Sequence, residues 1–177
     1  MLFRTSLKRA VPVLVLCLLA VSAARADEAP PAAPEQSTFV DRVVNRASAS
    51  VTAVQGTLET ALDLIGIRYR RGGTSPETGF DCSGFVDHVF KEGLGLYLPH
   101  SARQISKTGE AVTQDELQPG DLVFFNTMRR AFSHVGIYLG DNKFVHAPRS
   151  GGVVRVEDMS DSYWRKRFNG ARRVTVE

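Results

Sequence analysis

The apolar residues of this chain change their period halfway along it, and that change limits the folds open to it. Between residues 38 and 65, Val40, Val43, Val44, Ala47, Val51, Val54, Leu58, Ala61, Leu62 and Ile65 recur at the spacing of one helical face, with Gly56 marking an expected break between two helices. Residues 69–80, YRRGGTSPETGF, hold Gly72, Gly73, Pro76 and Gly79 and read as a loop. A further helix is expected from Cys82 to about Glu92, with Phe85, Val86, Val89 and Phe90 as its buried stripe and Gly93 and Gly95 as its stop. Past residue 120 the runs shorten: DLVFFN, HVGIYLG, KFVHAP, GVVRVE and ARRVTV are β-rich segments separated by turn residues. Helices first and strands after predict an α+β domain, N-terminal helices packed on a C-terminal antiparallel sheet, rather than a doubly wound parallel one.

The first 26 residues stand apart. Arg4, Lys8 and Arg9 precede an apolar run over residues 10–21, and Ala24-Arg25-Ala26 supplies an A-x-A cleavage site, so a secretory signal removed before Asp27 is expected. The twelve-residue run, which contains Pro12, is short of the roughly 20 apolar residues that a spanning helix needs, and no membrane span is expected after cleavage. Lipid attachment at Cys17 is disfavoured, because Leu14, Val15 and Leu16 stand where a lipoprotein signal carries small residues. The signal takes four of the 22 Lys and Arg and none of the 19 Asp and Glu, leaving 18 basic against 19 acidic groups in a mature chain of 151 residues. Arg165, Lys166, Arg167, Arg172 and Arg173 remain as a basic cluster that reads as a solvated face, and nucleic-acid binding is not expected. Residues 27–37 read as a flexible leader rich in Ala, Pro and Glu, residues 38–57 as a helical extension and residues 58–177 as the folded domain.

With the signal gone, Cys82 is the only cysteine and no internal disulfide can form. In an exported protein such a thiol oxidises or pairs between chains, so its retention points to a task. Asp81 is a good N-cap, which puts Cys82 at the first helical position, where free N–H groups and the helix dipole favour a thiolate. The charge of Asp81 works the other way, so a histidine partner is required. His88 lies six residues on, about 240° around the helix, and reads as a surface residue pointing away from the thiol. His134 opens HVGIYLG and His146 closes KFVHA, with Gly140-Asp141-Asn142 between them.

Register decides whether these two histidines can cooperate. A bare two-residue turn at Asp141-Asn142 sets His146 opposite Ile137 and puts His134 on the other face of the sheet. A three-residue loop over 140–142, or an equivalent bulge, sets His146 opposite Gly136 and leaves His134 on the same face, about 7 Å away on the diagonal. The second arrangement is expected.

At this point a resemblance carries further. The stretches YRRGG, DCSGFV, LPHSARQ, LQPGDLVFF, SHVGIYLG and FVHAP, in that order between about Leu58 and Val174, resemble the NlpC-type cell-wall cysteine peptidases, a papain-like α+β family of bacterial envelope enzymes. The resemblance implies Cys82 as nucleophile, His134 as general base and His146 as the residue orienting it. It also implies Tyr69 and the Cys82 backbone N–H as holders of the oxyanion, with Asp81 and Ser83 lining the substrate cleft. It implies no cofactor and no metal, a peptidoglycan stem peptide or cross-link as substrate, a periplasmic or extracellular location and a monomer. His100 departs from the family pattern at a position that often carries arginine, and the loop over 74–80 is about one residue longer than in many members. Wall-binding repeats are lacking, which leaves room for an envelope adaptor or regulator.

Three other readings stay open on the residues alone. Cys82, His134 and His146 are also zinc-ligand types, though no H-E-x-x-H pair accompanies them. A non-catalytic wall-binding module could keep the same fold. The triad could also perform thiol-dependent amide hydrolysis or acyl transfer on another substrate.

Overall fold

The computed structural model describes residues 38–127 and 129–175, so the expected signal and leader lie outside the described residues. The first element, α1 (Phe39–Asp63), starts at a capping box: Thr38 Oγ1 accepts from the Asp41 N–H, and the Asp41 carboxylate accepts from the Thr38 N–H. The expected break at Gly56 is absent. A helical glycine costs about 1 kcal/mol relative to alanine, and here packing outweighs it, since Leu58, Ala61 and Leu64 just beyond Gly56 all join the core. The turns before residue 52 receive no such cover, and Phe39, Val40, Val43, Val44 and Val51 are exposed.

After α1 the chain forms a two-residue hairpin of β1 (Thr74–Ser75) and β2 (Gly79–Phe80) within the expected loop. It then enters α2 (Cys82–Leu94). Gly95, at φ 67°, closes α2 as a left-handed C-cap with its N–H returning to the Lys91 carbonyl. Gly93, expected to help stop the helix, lies inside it. A Cβ there would come within 2.5–2.9 Å of Thr57, so the glycine is the point where α1 lies against α2.

Beyond come a single helical turn, α3 (Ala102–Ile105), then β3 (Glu110–Val112), a short 3₁₀ turn (Gln114–Glu116), β4 (Leu122–Phe125), β5 (His134–Gly140), β6 (Lys143–His146), β7 (Arg155–Asp158), a last turn α4 (Ser162–Arg165) and β8 (Phe168–Arg173). The large strands form one antiparallel sheet in the order β3-β8-β4-β5-β6-β7. The α+β architecture is therefore as expected, with β8 beginning three residues before the ARRVTV run that announced it and β3, α3 and α4 added.

Both faces of this sheet are covered. Leu122, Phe124, Val135, Ile137 and Val145 turn one face toward Phe85, Val86, Val89 and Phe90 of α2. Val123, Phe125, Tyr138 and Phe144, the alternate residues of the same strands, pack on the other side with Met159 and Trp164. Covering on both sides explains why DLVFFN reads as continuously apolar. Asp121, buried beneath the first residue of β4, is held by two hydrogen bonds of 2.8 Å from Arg173, which tie β8 to the start of β4.

The loop before α2 is seated by close backbone approach. The Gly73 carbonyl accepts from the Asp81 N–H, and a Cβ on Gly84 would sit 2.1 Å from that same carbonyl oxygen. Two glycine substitutions should accordingly act with opposite sign. Gly84→Ala is expected to cost about 1–3 kcal/mol through overpacking against backbone, whereas Gly56→Ala, with nothing within 4 Å of the added methyl, should stabilise by about 0.4–1 kcal/mol. Urea denaturation of the two variants reads both.

Candidate active site

Asp81 caps α2 as its sequence implied, and its carboxylate is fully engaged: Oδ1 accepts from Gly84 N–H at 2.8 Å and Ser83 Oγ–H at 3.0 Å, and Oδ2 from Gly72 N–H at 2.9 Å. One side chain thus holds the helix start and the preceding loop together. Cys82 follows at the first helical position, partly buried against the helix-side core. Burial pushes its thiol up to about 11, the neighbouring Asp81 charge adds to the rise, and the backbone N–H groups of Val135, Ser83 and Cys82 pull less strongly the other way. The proton therefore rests on sulfur at neutral pH.

The histidines come from the other side of the sheet. Asp141 and Asn142 have φ of 49° and 59°, positive at both centres of a two-residue turn as type I′ requires. Gly140 pairs with Lys143 and Tyr138 with Phe144, so Leu139 is surplus on β5 and forms a bulge. The equivalent bulge, not the three-residue loop, supplies the register. Ile137 then faces Val145, and His134 and His146 share a face with Nε2 of the first 2.6 Å from Nδ1 of the second. Gly136 lies between them in the pattern of this face. A Cβ there would come within 2.7 Å of the Phe144 ring and 3.2 Å of His146 Cβ, so its missing side chain leaves space for the paired rings.

Both imidazoles are buried, His134 at 3% and His146 at 0% exposure. Burial, reinforced by the neighbouring His146 and opposed by Glu157, lowers the His134 pKa to about 3. Burial also lowers His146, against the raising effect of Glu157. Glu157 of β7 brings Oε2 to 3.2 Å from His146 Nε2. Contact with His146 holds that carboxyl down to about 2, despite its partial burial, and Arg155 reinforces the effect. Trp164 of α4 closes the pair from outside, its ring 5.8 Å from His134 in a stacked arrangement and 5.1 Å from His146 edge-on.

A cleft of about 820 Å³ opens over Cys82 and His134, and Tyr69, Asp81, Glu157 and Trp164 also line it. Tyr69 is fixed by its N–H to the Gly152 carbonyl, 2.8 Å, and by a parallel bridge to Phe80. Burial raises its hydroxyl pKa, with the charges of Cys82 and Asp81 adding to it, so it stays a donor at neutral pH. Of the site residues expected from sequence, Tyr69, Asp81, Cys82 and His134 meet at the cleft, and His146 stands behind His134. Ser83 is buried, with its hydroxyl turned to Asp81 and the His100 carbonyl, and is not among the lining residues. His88 is half-buried, its ring 5.1 Å from that of Phe80. Glu157, Trp164 and Gly136 were not anticipated. The lone tryptophan of the chain was the one available signal among them.

The arrangement brings together a thiol, a neutral imidazole and hydroxyl and amide donors. Among the described residues no three His, Cys, Asp or Glu side chains converge as a metal site would require. The 2.6 Å between the two imidazole nitrogens is a hydrogen-bond distance, shorter than the roughly 3.3 Å that separates two ligands on a tetrahedral zinc.

Similarity to known proteins points to one family. Residues 66–173 match the model of the NlpC/P60 family. A murein DD-endopeptidase/murein LD-carboxypeptidase of Escherichia coli K12, MepS, is 48% identical over 112 residues, which are 63% of this chain and 58% of that protein. A gamma-DL-glutamyl hydrolase of Bacillus subtilis 168 is 43% identical over 123 residues, 69% of this chain and 30% of that one. The chain thus spans less than two thirds of the length of either curated relative. Among solved structures, an NlpC/P60 family protein of Bacillus cereus gives a TM-score of 0.63 at 33% identity, covering 68% of this chain and 39% of its own. The peptidoglycan hydrolase RipB of Mycobacterium tuberculosis gives 0.62 at 27% identity, covering 73% and 68%.

Two pH dependences follow from the site. Alkylation of Cys82 by iodoacetamide should be slow at pH 7 and rise by about tenfold per pH unit between 7 and 9, because only the thiolate reacts; a plateau already reached at pH 6 would contradict a protonated resting thiol. The folded chain also binds fewer protons at His134 than the unfolded chain does, between the free value near 6.5 and the folded value of about 3. Stability should therefore fall as pH drops through that window, by up to about 1.4 kcal/mol per pH unit from this group, read as a falling Tm.

Proposed function

Because the chain belongs to the NlpC/P60 family, we propose that it is a cysteine endopeptidase acting on amide bonds of peptidoglycan stem peptides or cross-links, exported and working in the periplasm or outside the cell. The observation that carries this reading is the meeting of Cys82 and His134 at one cleft, with His146 hydrogen-bonded behind the base. Neither imidazole is charged at rest, so the thiol proton must move as the bond forms. His134 accepts it, the sulfur attacks the peptide carbonyl, and the Cys82 N–H and Tyr69 hydroxyl hold the oxygen that becomes negative.

Collapse of the tetrahedral intermediate transfers the proton from His134 to the leaving amine and leaves a thioester on Cys82. Water, deprotonated by the now neutral His134, hydrolyses it and restores the thiol. His146 keeps the His134 ring from rotating between the two half-reactions. The remaining cleft wall carries Arg71, Arg149 and Arg155, which suits the free carboxylates of stem peptides. The reaction uses no cofactor. A monomer suffices for it, with an envelope adaptor or regulator as a partner.

The test is mass spectrometry of muropeptides digested by the mature protein beside Cys82→Ala. Wild type should release shorter stem or uncrosslinked products, and Cys82→Ala should reduce the rate by at least about 10³-fold. Muropeptides unchanged by wild type across several wall chemistries would defeat the proposal.

A further inference from the structure

The histidine pair leaves one electrostatic problem. A neutral imidazole behind the base can align it but cannot compensate the positive charge that His134 acquires, and nothing within the pair decides which nitrogen of each ring carries its proton. The buried Nε2 of His146 has no well-directed hydrogen-bond partner among the described residues, yet the Glu157 carboxylate stands 3.2 Å from it. That carboxylate is held from its own strand by Arg155, with Nε 2.6 Å from Oε1. It faces His146 across the β6–β7 pairing, in which Phe144 is opposite Glu157 and His146 opposite Arg155. The cleft beside the pair is also lined by the Cys82 thiol and Asp81 at the α2 end and by Arg71, Arg149 and Asp161.

We propose that Glu157 is a positioning residue whose carboxylate fixes the tautomer of His146 and, through it, that of His134. An ionised carboxylate only accepts, so the proton of His146 belongs on Nε2 and its Nδ1 carries the lone pair. The 2.6 Å contact then requires His134 to donate from Nε2. Neutral His134 is left with its lone pair on Nδ1, the one ring nitrogen not engaged by His146 and hence the one available to the thiol. The opposite assignment would set the lone pair of His146 Nε2 against the carboxylate and protonate Nδ1 of His134, removing the base. Once His134 takes the thiol proton, Glu157 also supplies the nearby negative charge that a second imidazole cannot.

The catalytic consequence rests on the peptidase reading, but the tautomers do not, and this separates the two in experiment. Long-range ¹H–¹⁵N correlation spectra of the full mature protein at pH 7, assigned with His134→Gln and His146→Gln, should show both rings protonated on Nε2. Glu157→Gln, whose amide can donate as well as accept, should move at least one ring toward the Nδ1–H form. It should also lower kcat on muropeptides by roughly 10–100-fold with KM changed less than about threefold. Glu157→Asp, which keeps the carboxylate, should retain the wild-type tautomers and recover part of kcat. An Nδ1–H form of His146 in wild type, or tautomers unmoved by Glu157→Gln, overturns the assignment. A wild type inactive on muropeptides whose tautomers still respond to Glu157→Gln would overturn the peptidase reading and uphold this one.

Discussion

One surplus residue in a strand governs the geometry of this site. Leu139 bulges from β5, and that single insertion converts a tight two-residue turn into the pairing that puts both histidines on one face. Strand side chains alternate with a period of two, so a slip of one residue would turn His146 away from His134 and bury it among aliphatic groups with no partner. The cost of an unsatisfied buried polar group, about 1–3 kcal/mol, then acts in favour of the observed register, since only there does Nδ1 of His146 find an acceptor or donor. The positive φ values that the turn demands fall on Asp141 and Asn142, among the side chains that tolerate them best.

The sheet that carries this pairing separates the thiol and the imidazoles by origin. Cys82 belongs to the helical side, and His134 and His146 to the side closed by Trp164; they meet where α2 begins beside the start of β5. Each component is therefore positioned by a different core, and burial sets the charge state of both. A helix dipole contributes about 0.3–1 kcal/mol and each tenfold change in acidity takes about 1.4 kcal/mol. The N-terminal position of Cys82 therefore cannot offset a push to about 11. Thiol and imidazole are both neutral at pH 7, and each owes that state to burial rather than to a charged partner.

Periodicity in the sequence was enough for the architecture, because the stripe of α2 and the apolar runs of β4, β5 and β6 are set by what each buries. It failed where packing overrode local preference: Gly56 reads as a helix breaker, but the core contacts of Leu58 and Ala61 carry the helix through it, and Gly93 reads as a stop but is a contact with Thr57. Three-residue β3 and the single turns α3 and α4 are too short to show a period. The thiol was legible as the lone cysteine after the N-cap Asp81, and the paired histidines because HVGIYLG, GDN and KFVHA are adjacent, so strand alternation limits their geometry. Glu157 was not, since its approach to His146 depends on how β7 returns past β6 after the eight-residue connection 147–154, and no local pattern in GVVRVE encodes that pairing.

The raised pKa of Cys82 also bears on how long the molecule lasts. Peroxides and disulfides react with thiolates and scarcely with protonated thiols, so the rate of damage follows the thiolate fraction and its exposure. A partly buried sulfur that keeps its proton offers oxidants little to attack. A standing thiolate would be lost in proportion to its time in oxidising surroundings; the protonated thiol of Cys82 is lost more slowly.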